Sequence, residues 1–213
     1  MTKHITILGA TSGIGKSAVE EALHRGHTVR AVARSAAGMD PQPRLEPVPA
    51  DARDPDQVAQ ALDGTDAVIY ALGIKESVSM LWTEVTLFSE STRILLAAMR
   101  TADVSRLVAV TGFGAGRSRA AMSTVERLGH KAILGRPYAD KDRQEALITD
   151  SALDWTIVRP VILTNSPRTG RYRVLRDPSS WRNGLISRSD TACYLLDAVE
   201  QGLDISADVV VTR

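Results

Sequence analysis

The chain has 213 residues and a mass of 23.0 kDa, the size of one domain with a substantial core. Its 26 lysine and arginine residues nearly balance 25 aspartate and glutamate residues, so the charge predicts neither a nucleic-acid partner nor a membrane surface. The sequence has no apolar run of about 18 residues, the length that predicts a membrane-spanning helix. The single cysteine, Cys193, excludes an intramolecular disulfide and predicts a reducing, cytoplasmic location.

The first predicted element is an apolar strand over residues 5–8, followed by a glycine-rich turn and a helix over residues 13–25. The turn has the spacing G-x-x-x-G-x-G. Such glycines let the backbone approach a pyrophosphate, and the start of the helix offers free N–H groups and the positive end of its dipole. These features predict a dinucleotide-phosphate site, whose residues are Gly9, Thr11, Ser12, Gly13, Ile14 and Gly15.

Strand-like and helix-like segments alternate along the rest of the chain. The predicted strands cover residues 5–8, 28–33, 45–48, 67–70, 106–111, 155–159 and 209–212, and the predicted helices cover 13–25, 55–62, 81–101, 140–151 and 189–201. Several strands are continuous apolar runs, which is typical of a parallel sheet covered on both faces. The alternation predicts an α/β fold, a doubly wound parallel sheet of the Rossmann type. We expect a single domain over residues 1–213, with a small C-terminal substrate lobe.

Ligands of such sheets bind beyond the carboxyl ends of the strands, so the residues after each strand are the candidates. Arg34 and Ser35 follow the second strand, where an NAD-selective fold usually has an acidic residue. Arginine suits the 2′-phosphate of NADP because it combines a permanent charge with forked donors. We therefore expect NADPH to bind in preference to NADH; a solvated surface arginine is the alternative interpretation.

The later strands are followed by further cofactor candidates. Asp51 and Ala52 come after the third strand, where Asp51 either accepts from the adenine amino group or caps a turn. The candidates after the fourth, fifth and sixth strands are Ala71, Leu72, Gly73, Thr111, Pro160 and Val161. The loop over residues 111–116 is expected to reach the nicotinamide.

No metal site is predicted, because the histidines lack the spacing of metal ligands. They are interpreted as surface or capping residues: His4, His24, His27 and His130. Cys193 lies in a helical stretch beside apolar residues and is predicted to be a buried structural thiol.

In this order, these segments resemble the atypical branch of the short-chain dehydrogenase/reductase superfamily. That branch includes NmrA-like proteins and biliverdin-reductase-B-like (flavin-reductase-like) NAD(P)H-binding proteins. The resemblance covers almost the whole chain, and its segments are the glycine-rich turn and residues 32–34, 50–52, 66–69, 73, 91–93, 106–108, 141–142, 153–160 and 186–190. It implies a dinucleotide-binding domain, whereas the reaction does not follow from the fold.

The chain departs from the superfamily's catalytic pattern, a serine and then Tyr-x-x-x-Lys. Thr111 stands in place of the serine, and one residue fewer separates Tyr138 from Lys141. That spacing keeps both side chains on one helix face. However, Pro137 is expected to place Tyr138 at or before the helix start. Of the three catalytic candidates, Tyr138 is therefore interpreted as a pocket residue, and Thr111 and Lys141 as contacts at the nicotinamide end.

The first hypothesis for the function is an NAD(P)H-dependent reductase. Without a dependable proton donor, the expected acceptor is a flavin, a quinone or a related conjugated small molecule, because such a ring takes up hydride when two planar rings are held in contact. The aromatic candidates for an apolar cleft are Trp82, Phe88, Phe113, Tyr172 and Trp181, and with only 4% aromatics in the chain the core competes for the same residues. Two alternatives stay open: an NmrA-like redox sensor that acts through a protein partner without turnover, and a sugar-nucleotide epimerase. The oligomeric state does not follow from the sequence.

Overall fold

The computed structural model describes residues 1–73 and 86–213, and of residues 124–136 it describes the backbone alone. The strands are β1 His4–Leu8, β2 Thr28–Ala33, β3 Leu45–Pro49, β4 Ala67–Tyr70, β5 Arg106–Val110, β6 Asp154–Pro160, β7 Ile162–Thr164, β8 Arg173–Leu175, β9 Leu185–Ser187 and β10 Ala207–Thr212. The α-helices are α1 Gly13–His24, α2 Pro55–Gln60, α3 Leu87–Thr101, α4 Thr124–Thr149 and α5 Arg188–Gln201.

Eight of these strands form one sheet in the order β3-β2-β1-β4-β5-β6-β10-β8. All neighbours in it are parallel except β8, which runs antiparallel to β10 at the edge. β7 and β9 form a separate parallel pair. The strand order reverses between β1 and β4, which is where a doubly wound sheet opens a crevice for ligands. The predicted fold class is confirmed.

Helices cover both faces of the sheet. α1 packs against α5 on one face, and α3 packs between α2 and α4 on the other. In β1, Ile5 and Ile7 join the core beneath α1 and α5, whereas Leu8 joins the core on the opposite face. This two-sided burial explains the continuous apolar runs of the central strands. Cys193 is buried within α5, as predicted.

Most elements begin and end within two residues of the predicted bounds. The helix expected over residues 81–101 is observed from Leu87, and residues 81–85 lie outside the described part of the chain. β7, β8 and β9 were not predicted, because three residues are too few to show a period.

The predicted start of a helix at residue 140 is wrong. α4 runs from Thr124 to Thr149 and contains Pro137. A proline removes one backbone hydrogen bond and disfavours helical geometry in the preceding residue. Here Pro137 is buried and α4 packs along α3, so tertiary packing outweighs the local preference. Tyr138 therefore lies inside a helix rather than before one.

Candidate functional site

The glycine-rich turn lies at the point where the strand order reverses. A Cβ on Gly9 would lie 2.6 Å from the Ala71 carbonyl oxygen, and one on Gly15 would overlap the Gly9 carbonyl oxygen. Because Gly9 has no side chain, the turn can contact the residue that follows β4. Because Gly15 has none, the first turn of α1 can pack against the glycine-rich turn. Gly13 differs: its φ is +56°, and a Cβ there would meet no described atom within 4 Å. The backbone of Gly13 thus faces open space, which fits the approach of a pyrophosphate.

The start of α1 is suited to an anion. Its first turn has no acidic residue, and the N-cap Ser12 makes no capping hydrogen bond with its side chain among the described residues. The first N–H groups of a helix have no partner within it and lie at the positive end of the dipole. Ile14 is buried in the core, so its side chain anchors the turn while its backbone stays at the helix start. A phosphate fits this arrangement.

The predicted adenosine end joins three loops. The hydroxyl oxygens of Thr11 and Ser35 lie 2.8 Å apart and connect the turn to the end of β2. Asp51 accepts from the backbone N–H of Arg53 at 2.9 Å, so it caps a turn, one of its two predicted roles. That hydrogen bond is the largest cause of the lowered pKa of Asp51; the Arg53 side chain and, through its charge, Arg34 lower it further. The exposed Arg34 therefore stands beside the loop after β3.

Small residues line the crevice between these ends. Ala71 and Leu72 are half-buried after β4, and Gly73 is exposed, with no described atom within 4 Å of a Cβ position. Gly73 therefore leaves room along the carboxyl edge of the sheet, whereas Ala52, in the loop after β3, is buried in the core.

At the predicted nicotinamide end, the structure brings the three catalytic candidates together. The Lys141 ammonium donates to the Thr111 carbonyl oxygen at 2.9 Å and lies 4.3 Å from the centre of the Phe88 ring. The Tyr138 hydroxyl packs against Gly112, the residue after Thr111. A Cβ on Gly112 would lie 2.8 Å from the hydroxyl oxygen. Both α4 side chains thus meet the backbone directly after β5, despite the shortened spacing.

The environment of Lys141 changes its acidity. Desolvation lowers its pKa from 10.5 to about 8, and the negative charges of Glu145 and Asp140 oppose that change. Asp140 itself is buried and accepts from the backbone N–H groups of Phe88 and Ser89 at the start of α3. Lys141 is therefore a cation at neutral pH that loses its charge in mildly alkaline solution.

Sequence reasoning missed Glu145. The Thr111 hydroxyl donates to Glu145 Oε1 at 2.7 Å, and Arg159 binds both carboxylate oxygens, at 3.1 and 2.7 Å. Arg159 also pairs with Asp208 on β10. Glu145 and Arg159 are 5% and 1% exposed. The available signal was the spacing, because Glu145 lies one helical turn after Lys141 and so shares its face.

The candidates after β6 lie against the same loop. The Pro160 carbonyl oxygen accepts from the Phe113 N–H at 3.1 Å, which joins β6 to the loop over residues 111–116. Val161 is buried, and its N–H donates to Val211. Pro160 therefore borders the site, whereas the Val161 side chain packs in the core.

Of the two environments expected for the aromatic candidates, a cleft and the core, the core takes up three of the four described residues. Phe88, Phe113 and Trp181 are buried in the core, and the Tyr172 hydroxyl donates to Asp197. With aromatics at 4% of the chain, the core takes up the large rings. The fifth candidate, Trp82, lies outside the described residues.

One histidine was also misinterpreted. His27 is buried, and its ring joins the Lys3 N–H to Glu200 instead of lying on the surface.

Among the described residues, none of the helices has the length and apolar character of a membrane span. Within the same residues, no three His, Cys, Asp or Glu side chains are grouped for a metal ion.

The reversed strand order, the glycine turn and the anion-ready helix start define a dinucleotide-binding Rossmann domain. A family model described as NAD(P)H-binding matches residues 9–202. The chain belongs to this NAD(P)H-binding family.

Two relatives cover most of the chain. An uncharacterised chloroplastic protein of Arabidopsis thaliana is 30% identical over 208 residues, which are 94% of this chain and 73% of the relative. A Bacillus subtilis protein, named as the uncharacterised sugar epimerase YhfK, is 25% identical over 204 residues. These residues are 92% of this chain and 88% of the relative.

Solved structures share the fold over nearly their whole length. ChuY from Escherichia coli O157:H7, described as an anaerobillin reductase, has a TM-score of 0.81 and 22% identity, covering 98% of this chain and 96% of ChuY. A short-chain dehydrogenase/reductase from Veillonella parvula in complex with NADP has a TM-score of 0.82 and 19% identity. The match covers 100% of this chain and 95% of the Veillonella protein. At these identities the likeness shows the fold alone.

Proposed function

We propose that this protein is an NADPH-dependent reductase that transfers hydride to a flavin, a quinone or a related conjugated small molecule. The observation that carries the proposal is the meeting of Tyr138 and Lys141 on the backbone of Thr111 and Gly112, beyond β5. Two strand ends away, the glycine turn provides the anion site. The proposed phosphate site and this polar, partly enclosed site therefore lie along one edge of the sheet.

The residues at the turn fit a dinucleotide. We propose that the N–H groups at the start of α1 and the Ser12 hydroxyl hold the phosphates, and that Gly13 leaves the space for them. Arg34 and Ser35 are proposed to hold the 2′-phosphate that distinguishes NADPH from NADH. When bound, the cofactor supplies the hydride.

At the other end, the chain fixes its own polar groups. Lys141 is proposed to hold the ribose hydroxyls while it ties down the Thr111 carbonyl. The loop after β5 is anchored from α4, because Asp142 accepts from the Gly116 N–H at 2.7 Å. Such anchoring lets the protein hold two planar rings in contact, which is the main requirement for hydride transfer to a delocalised ring.

The proposed acceptor class rests on this positioning. A conjugated ring spreads the negative charge it gains, so water or a weak donor is sufficient to protonate it. ChuY is named a reductase of anaerobillin, which supports reduction of a small molecule as the reaction. The acceptor is tested by following NADPH oxidation by absorbance with FMN, FAD, biliverdin and quinones in turn. We expect oxidation with at least one of them, and none in a Gly13→Val variant that has lost the cofactor.

A sugar-nucleotide epimerase is the second candidate, favoured by the name of the Bacillus subtilis relative. An epimerase returns the hydride to the same substrate, so it oxidises no NADPH in net terms and instead converts a sugar nucleotide into its epimer. NMR of a sugar-nucleotide mixture incubated with the protein detects that conversion. Binding of NADPH without either reaction is the result that a non-catalytic redox sensor predicts.

The location and the partners also belong to the proposal. We propose a cytoplasmic protein, because its single thiol, Cys193, is buried and forms no disulfide. The proposed partner is the small-molecule acceptor, with neither nucleic acid nor membrane. A cell fractionation with an antibody to the chain tests the location.

A further inference from the structure

Thr111 is held at two atoms by one face of α4. Its carbonyl oxygen accepts from Lys141, and its hydroxyl donates to Glu145, one helical turn further along. Thr111 is also held by its backbone N–H, which donates to the Val158 carbonyl oxygen. Thr111, the first residue after β5 at the proposed nicotinamide end, therefore has little freedom to turn.

The direction of the hydroxyl bond decides what Thr111 can do. A hydroxyl has one proton to donate, and an ionised carboxylate can only accept. Because Thr111 and Glu145 are both buried, water cannot easily replace this hydrogen bond. The Thr111 hydroxyl keeps its proton and directs it towards the Glu145 carboxylate. Only the lone pairs of the Thr111 oxygen remain for a ligand.

The carboxylate is itself fixed in place. Arg159 binds both of its oxygens, is also paired with Asp208, and lies 5.2 Å from the centre of the Trp181 ring. Gly116 also lies so close that a Cβ would overlap Glu145 Oε2 and would lie 2.9 Å from Arg159 Nη2. Turning the Thr111 hydroxyl away would remove one hydrogen bond from a buried charged group, which is costly.

We infer that Glu145 is a positioning residue that makes the Thr111 hydroxyl an acceptor-only group at the nicotinamide end. The inference rests on the cofactor site of the proposed function. Thr111 then receives a hydrogen bond from an N–H donor of the cofactor, such as its carboxamide. It does not supply a proton to the molecule that takes the hydride.

The test is a double-mutant cycle between Thr111→Val and Glu145→Gln, with NADPH affinity measured by fluorescence titration. Valine keeps the shape of threonine but removes the hydroxyl. In Glu145→Gln, the single amide oxygen keeps the shorter of the two Arg159 contacts, the one at 2.7 Å, so the NH₂ takes the position of Oε1, faces Thr111 and reverses the bond. We expect each single variant to weaken NADPH binding about tenfold. The double variant should also be about tenfold weaker, because both changes remove the same interaction. Thr111→Ser should stay within about twofold of wild type.

Asp142→Asn is the matched control, because Asp142 is a neighbouring α4 carboxylate that anchors Gly116 and Arg119 but not Thr111. Its effect should add to that of Thr111→Val. If the Thr111/Glu145 cycle is additive as well, or if Glu145→Gln lowers the melting temperature without changing NADPH affinity, Glu145 is merely structural and the inference fails.

Steady-state kinetics keep the inference testable if Glu145→Gln does not fold. Thr111→Val should raise KM for NADPH and leave the pH profile of kcat unchanged. A fall in kcat at unchanged NADPH affinity would make Thr111 a proton donor and overturn the inference. Because the cycle measures binding, it still decides the role of Glu145 if no acceptor is reduced. Absence of NADPH binding by the wild-type protein would overturn both proposals.

Discussion

Gly13→Val is expected to abolish dinucleotide binding while leaving a folded protein. The φ of Gly13 is +56°, a region that costs an L residue about 1–2 kcal/mol. For a chain of this size, that cost lowers the melting temperature by roughly 2–8 °C. The valine side chain would enter the open space beside the turn, where the pyrophosphate is proposed to bind. Loss of two charged hydrogen bonds, at roughly 1.5–3 kcal/mol each, weakens NADPH binding more than about a hundredfold.

Gly64→Val is the matched control for this variant. Gly64 also has a positive φ, +65°, and open space, with His4 Nδ1 as the nearest atom at 4.0 Å. It precedes β4 at the opposite edge of the sheet, so it should lose a similar amount of stability and keep its NADPH affinity. Thermal melts and fluorescence titrations measure both quantities. A Gly13→Val protein that binds NADPH as wild type does would refute the assignment of the turn.

Three further predictions concern single side chains. Arg34→Ala should weaken NADPH binding by about 2 kcal/mol, roughly thirtyfold, and leave NADH unchanged in calorimetric titrations; equal wild-type affinities for both cofactors would contradict the 2′-phosphate site. Because burial lowers the pKa of Lys141 to about 8, this cation is lost as the pH rises through that value. NADPH affinity should then fall, and Lys141→Arg, which stays charged, should remove this dependence in titrations across that range. Tyr138→Phe should keep hydride transfer to a conjugated acceptor within about tenfold in stopped-flow measurements, whereas a loss of 10²–10⁴ would identify Tyr138 as the general acid.

The phosphate site could be predicted because its determinants are local. Strand, glycine turn and helix start follow one another within residues 5–25, and the two close approaches at Gly9 and Gly15 involve the turn itself or the neighbouring strand. The parallel sheet was predictable for a similar reason, since buried strands are read from continuous apolar runs.

The catalytic end was only partly predictable, because it depends on packing between distant segments. Pro137 reads as a helix boundary in the sequence, yet packing against α3 keeps α4 continuous through it. Glu145 is one of many acidic residues in the sequence, and only the fold brings it to Thr111 and Arg159. Aromatic residues are suited to a core and to a cleft alike, so Trp181 could not be assigned to either from its type.

The central claim is that this chain transfers hydride from NADPH to a conjugated small molecule. Anaerobic stopped-flow mixing of the NADPH-loaded protein with FMN, FAD, biliverdin and quinones tests it most directly. We expect oxidation of NADPH with at least one acceptor, slowed when the transferred hydrogen is replaced by deuterium and absent in Gly13→Val. Tight binding of NADPH with no oxidation by any of these acceptors would contradict it.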